Sequence, residues 1–272
     1  MQPPASDLIS LSYCKSALSI TATTGDTMLA NLISAASRFF LSATNRRTIG
    51  LATFLETRDG DGSDSIILRY SPIYSLLSLK IDGIPIVPAA LGVNTTPGYY
   101  LPDNGFSVRL IGPRFNCGRA NVLINYIAGY GATQTDPLTV PASPGPYTLT
   151  AAQGQFFYSD LGVTLANGTP LTPTTGAPGP MQYAVSSVGV YTFNAAQAGV
   201  AVLISYNYSA IPFDIQDAIA QIVAFKKAKY PRIDQVSAHL GTETVTFSQA
   251  DVPPMVRPII ATYKTIAQFR GN

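Results

Sequence analysis

The chain has 272 residues, enough for one or two domains with a sizeable core, and its 46% hydrophobic against 12% charged residues exclude a disordered polymer. A net charge of +2 gives little long-range pull on nucleic acid, so sequence-independent DNA binding is not the default. Cys14 and Cys117 lie far apart without CxxC spacing, which fits a reduced intracellular protein with two free thiols.

No run approaches the ~20 apolar residues of a membrane span. Met1 to Ser10 lack the basic and apolar regions of a signal peptide, so the expectation is a soluble chain made and used inside a cell. Sparse charge suits a surface covered by neighbours in an assembly, and it equally suits a Thr/Gly/Pro-rich β protein.

Asp7 to Leu18 reads as a short helix. Asp26 is placed to cap a second, in which Met28, Leu29, Leu32, Ile33, Ala36, Phe40 and Ala43 recur at helical spacing. Arg46 and Arg47 follow it, where positive charge suits the end of a helix dipole. The period then changes. Leu51–Thr57 and Ile66–Tyr70 flank an Asp/Gly-rich turn, and Leu76–Ile81, Phe106–Ile111 and Asn121–Ile127 complete a set of short strands.

From Gly131 to Ala210 only Asp136 and Asp160 carry charge at neutral pH, and there is no Lys or Arg. Tyr147–Leu149, Phe156–Tyr158, Tyr183–Val185, Tyr191–Phe193 and Val200–Tyr208 read as strands of a compact all-β unit. The Gly168–Pro180 tract reads as an exposed loop. Val202-Leu203-Ile204-Ser205-Tyr206 nearly repeats Val122-Leu123-Ile124-Asn125-Tyr126.

Helical spacing returns after Pro212, with Ile215, Ile219, Ile222 and Val223 in one stripe and Lys226, Lys227 and Lys229 closing it before Pro231. Glu243–Ser248 suits a strand or an extended arm, and Met255–Phe269 a last helix. The expected fold is therefore α+β: a small helical domain with short antiparallel strands, discontinuous in sequence (1–130 and 211–272), carrying an inserted all-β domain at 131–210.

Reactive constellations are scarce. His239 is the only histidine, so a multi-histidine metal site is impossible, and no nucleophile elbow or phosphate-cradling glycine loop occurs. Asp59, Asp61 and Asp64 loosely echo a calcium loop but match its positions poorly, and a hairpin turn accounts for them. No catalytic, metal or cofactor-binding residues are assigned, and the chain is expected not to be an enzyme. The basic cluster Lys226, Lys227, Lys229 and Arg232 suits a DNA channel or an acidic partner, or simply a helix dipole. Phe156, Phe157, Tyr158, Tyr191 and Phe193 suit a carbohydrate surface or, more commonly, the core of a small β module.

The order of elements in the flanks resembles the head-tail connector, or adaptor, proteins of tailed bacteriophages. Asp7-Leu8-Ile9-Ser10 with the Asp26–Asn45 helix looks like their opening helix pair. Ser65 to Ile73 followed by Leu79-Lys80-Ile81-Asp82-Gly83 looks like their hairpin entering a Pro-marked strand. Asn125-Tyr126-Ile127-Ala128-Gly129-Tyr130 resembles their strand ending in Ala-Gly-Tyr. Ile211-Pro212, Asp214 to Ile219 and Tyr230-Pro231-Arg232 resemble the helix that usually follows it almost at once. The 131–210 segment departs from that pattern.

The resemblance implies a structural virion protein at the head-tail interface of the portal vertex, assembled in the host cytoplasm. Such proteins form a ring, commonly of twelve copies, that docks on the portal protein, extends the DNA channel and offers a platform to tail (nozzle, tube or stopper) proteins. Packaged DNA passes through without sequence-specific binding, and no membrane is involved. The family's C-terminal segments reach toward the portal, which here points to Ile260, Tyr263, Lys264, Ile266, Phe269 and Arg270 as portal-binding residues. The same helix reads equally well as packed on its own domain's core. The competing expectation is a phage tail or surface carbohydrate-binding β module.

Overall fold

Ser10 accepts the Tyr13 N–H at 2.9 Å, and this cap starts α1 (Leu11–Ala17). The computed structural model describes residues 7–90, 92, 96–229, 237–240, 243–246 and 252–265. Among them the chain is a mixed α/β fold with four α-helices and several antiparallel sheets. It divides into two compact units, one of residues 1–49 with 211–272 and one of residues 50–210.

In the first unit α2 (Asp26–Ala43) buries Leu29, Ile33, Ala36, Ser37 and Phe40. Asp26 is not its cap. Gly25 takes that place with φ +96°, and the Asp26 carboxylate instead receives the Lys15 ammonium at 2.8 Å. Met28 stands exposed because the stripe is narrower than its apolar residues suggest. Helix α3 (Phe213–Lys229) buries Ile215, Ala218, Ile219, Ala220, Ile222 and Val223, and α1, α2 and the last helix, α4 (Val256–Tyr263), all pack on it. A helix apolar on so many sides belongs at the centre of its unit. The Ser37 hydroxyl, fully buried, accepts the Leu8 N–H at 3.0 Å and so fixes the entry to α1. A two-stranded ribbon, β15 (Ser237–Leu240) with β16 (Glu243–Thr246), precedes α4.

The second unit holds two cores. Around the first, β1 (Ala52–Gly60), β7 (Gly118–Ala128), β3 (Ile73–Ile81) and β4 (Ile84–Ile86) form one antiparallel sheet in that order. A smaller sheet has the order β2 (Ser65–Ile67), β6 (Ser107–Ile111), β5 (Gly98–Tyr100). Val122, Ile124 and Tyr126 point inward from the central strand, onto Leu68, Leu79, Val108 and Phe115. Each such side chain contributes about 1.5–3 kcal/mol of burial.

Around the second core, β8 (Gly131–Thr139), β14 (Ala201–Ser209) and β10 (Phe157–Leu165) form a sheet with β14 in the middle. Strands β9 (Thr148–Thr150), β13 (Val190–Phe193), β12 (Gln182–Val185) and β11 (Thr172–Pro173) form its companion. Strand β8 was not expected from sequence, because its inward positions include Gln134 and Asp136 rather than apolar residues. Pro137 is tolerated there because β8 is an edge strand. The Gly168–Pro180 tract is more than an exposed loop: Leu171 is buried and β11 pairs parallel to β12.

Candidate partner-binding surfaces

Helix α4 is tied to its own unit at its C-terminal end. Arg46, just past α2, donates Nε–H to the Tyr263 carbonyl at 2.7 Å, and the Thr265 N–H returns a bond to the Thr44 carbonyl at 2.9 Å. The last carbonyls of a helix have no partner within it, so an arginine there both satisfies one and faces the negative end of the dipole. The Tyr263 hydroxyl donates to Asp214 Oδ1 at 3.0 Å, at the start of α3. Val256 is fully buried, Ile259, Ile260 and Tyr263 are half-buried, and Arg257, Ala261, Thr262 and Lys264 are exposed. Of the residues singled out from sequence, Ile260, Tyr263 and Lys264 thus share the end of this helix. Ile266, Phe269 and Arg270 lie outside the described residues.

Lys226, Lys227 and Lys229 occupy the last turn of α3, complementing its dipole. Lys226 lies over the Phe39 ring at 5.8 Å and Lys229 over Phe225 at 4.9 Å, while Lys227 is exposed. Burial pushes the Cys14 thiol up, and the Lys227 charge opposes that shift. Arg232 lies outside the described residues, and His239 is a backbone position in β15 opposite Thr244.

The polar centres of the second unit are tyrosine–carboxylate pairs. Tyr126 donates to Glu56 Oε2 at 2.8 Å, and Tyr206 to Asp136 Oδ2 at 2.9 Å. Tyr183 and Tyr191 both donate to Asp160. Burial first, then the neighbouring carboxylate, holds all four phenols above their ordinary range; Tyr206 is pushed up to about 12. A phenol held neutral beside a carboxylate that accepts from it is a fixed hydrogen bond, not an acid poised to give up its proton near neutrality.

The aspartates of the turn after β1 also serve geometry. Asp59 accepts the Ala120 N–H, and Asp61 the Ser63 N–H at 2.9 Å. Asp82 receives Asn116 at 2.8 Å and Asn121 at 2.9 Å, and these bonds draw its carboxyl below the usual range. Among the described residues no three His, Cys, Asp or Glu side chains converge on one point. Of the aromatics weighed as a sugar platform, Phe157, Tyr191 and Phe193 are buried in the second core. Among the described residues no helix is long and apolar enough to cross a membrane.

Sequence reasoning passed over Glu56 and Tyr126 with Asp136 and Tyr206. Their signal was the near-repeat around Tyr126 and Tyr206, with an acidic residue the same distance upstream in both. No curated protein matches the chain. The family model described as Head completion protein matches residues 7–141, which run from the entry to α1 through β8. Over that stretch, just under half of its length, the chain is similar to the head completion proteins, structural components of phage heads, in agreement with its resemblance to head-tail connectors.

Proposed function

We propose that this protein is a head-tail adaptor: a structural virion protein that forms a ring on the portal, extends the DNA channel and receives tail proteins. The observation that carries this reading is the family match over α1, α2 and the first β core. In this proposal residues 1–130 and 211–272 make the adaptor and 131–210 an inserted β domain that enlarges the docking surface. The ring has twelve copies and sits at the portal vertex, and DNA passes through without sequence readout.

The portal-facing residues in this reading are Ile260, Tyr263, Lys264, Ile266, Phe269 and Arg270. The anchoring of α4 through Tyr263 and Thr265 would set the direction in which the following residues leave the unit. Lys226, Lys227, Lys229 and Arg232 would face DNA or an acidic partner. Native mass spectrometry of the purified chain mixed with the portal ring of the same phage tests the proposal. A discrete mass gain of one full ring supports it and gives the stoichiometry. No gain from a well-folded chain sinks portal docking.

A further inference from the structure

We infer that residues 131–209 are a second copy of the β fold formed by 51–129, and that the two copies hold each other through one self-complementary face. The inference does not depend on portal docking. Its first support is register. In β1 with β7, Glu56 lies opposite Ile124 and Phe54 opposite Tyr126. In β8 with β14, Asp136 lies opposite Ile204 and Gln134 opposite Tyr206.

The third strands agree even in their irregularities. Strand β3 slips against β7 between Ile73 and Ser75 and again between Leu76 and Ser78. Strand β10 slips against β14 between Phe157 and Ser159 and between Asp160 and Gly162. Two bulges at matching positions are a feature of a fold, not a local accident. The residues left unpaired in the second bulges, Leu77 and Leu161, are 52% and 53% exposed. Leu123 and Leu203, outward on the central strands, are 36% and 37% exposed.

Hydrogen bonds repeat as well. The Arg69 N–H donates to Glu56 at 3.2 Å and the Tyr70 N–H to the Tyr126 hydroxyl at 3.2 Å. Correspondingly, the Ala152 N–H donates to Asp136 at 2.8 Å and the Gln153 N–H to the Tyr206 hydroxyl at 3.1 Å. The segment after the third strand keeps Gly83, Pro85 and Pro88 as Gly168, Pro170 and Pro173. Pro88 bridges Tyr99 in parallel, as Pro173 bridges Tyr183. Gly105 and Gly189, both at φ +69°, turn the chain before β6 and β13.

The contact between the copies is reciprocal. Thr53 of the first copy meets the Tyr158 hydroxyl of the second at 2.6 Å. Its counterpart Thr133 meets the Tyr74 hydroxyl at 3.5 Å, and Tyr74 donates to Asn207 at 3.0 Å. Thr53 corresponds to Thr133, and Tyr74 to Tyr158. When residue i of one body touches j of the other and j touches i, the interface is isologous, the arrangement of a two-fold dimer. The partner this face fits is therefore another copy of the same β unit, here supplied by the same chain.

The test uses the intact chain with Tyr74→Glu and Tyr158→Glu, singly and together, read by amide hydrogen exchange and small-angle scattering. Tyr74→Glu is expected to raise exchange threefold or more in β8 and β14 of the other copy, and Tyr158→Glu in β1. Both cores stay protected, and the double variant has a larger radius of gyration. Tyr74→Ala and Tyr158→Ala give the same crosswise readout if the charged variants fail to fold. Effects confined to the substituted copy, or seen in one direction only, would overturn the inference.

Discussion

Tyr206 donates its hydroxyl to Asp136 at 2.9 Å while that same oxygen receives the Gln153 N–H at 3.1 Å. One buried phenol thus ties the central strand, its edge neighbour and the loop after β9. Tyr206→Phe removes both bonds: the Gln153 N–H loses its acceptor, and Asp136 Oδ2 keeps only the Ala152 N–H. The expected loss is about 1–3 kcal/mol in urea unfolding, with Tyr126→Phe costing a similar amount in the first core. Unchanged unfolding midpoints in both variants would remove the structural role assigned to these hydroxyls.

The same phenols make the fold sensitive to alkali. An unfolded tyrosine loses its proton near the ordinary value of 10, whereas folded Tyr206 keeps it to about 12. Because the folded value is raised, its contribution is fully present below pH 10 and is lost as pH climbs through 12. Tyr126, Tyr183 and Tyr191 are shifted in the same direction. Unfolding midpoints should therefore fall steeply above pH 10, and Tyr206→Phe should flatten that fall. An equally steep fall in the variant would assign it elsewhere.

Arg46→Ala deletes the bond to the Tyr263 carbonyl and exposes the end of α4 to fraying. A charge-assisted bond of this kind contributes about 1.5–3 kcal/mol where it is shielded from water. At this partly buried site the lower end is expected. Amides of residues 256–263 should exchange severalfold faster, with α2 and α3 little changed.

If α4 and the residues after it carry portal binding, Lys264→Glu should weaken capture by the portal about tenfold with no change in melting temperature, since Lys264 is exposed. Ile260→Asp should weaken it further, as apolar anchors do. Full binding by both variants would move the portal contact away from this helix.

A methyl group at Gly60 would lie 2.0 Å from the Asn116 carbonyl oxygen, a backbone atom that cannot swing aside. Gly60→Ala is expected to cost about 2–4 kcal/mol. Gly176→Ala, with nothing within 4 Å, should be neutral or stabilising by at most about 1 kcal/mol. Equal thermal stability of the two variants would contradict the packing described around β1.

The helical elements were legible because their apolar residues recur at regular spacing: the α2 stripe ending at Phe40 and the α3 stripe from Ile215 to Val223 both face a core. Strand β8 was not, because polar Gln134 and Asp136 take its inward places and erase the alternation. The bulges in β3 and β10 hid the strands' full lengths in the same way, since each extra residue flips the phase of the pattern. Asp26 misled for another reason: its residue type suits a cap, but Lys15 claims the carboxylate. The end of α4 was half legible. Its apolar spacing is plain in sequence, but the tie from Tyr263 to Asp214 spans a distance in the chain that no local pattern reports.

The two acidic residues of 131–210 both turn toward tyrosine hydroxyls, Asp136 buried and Asp160 half-buried, and the segment has no Lys or Arg. Its outer surface is consequently almost without an ion atmosphere. It condenses few counterions and releases few when something settles on it, so whatever it touches should hold equally well in dilute buffer and in brine. The lysine-tipped end of α3 obeys the opposite law, and a salt titration would therefore separate contacts made through one from contacts made through the other.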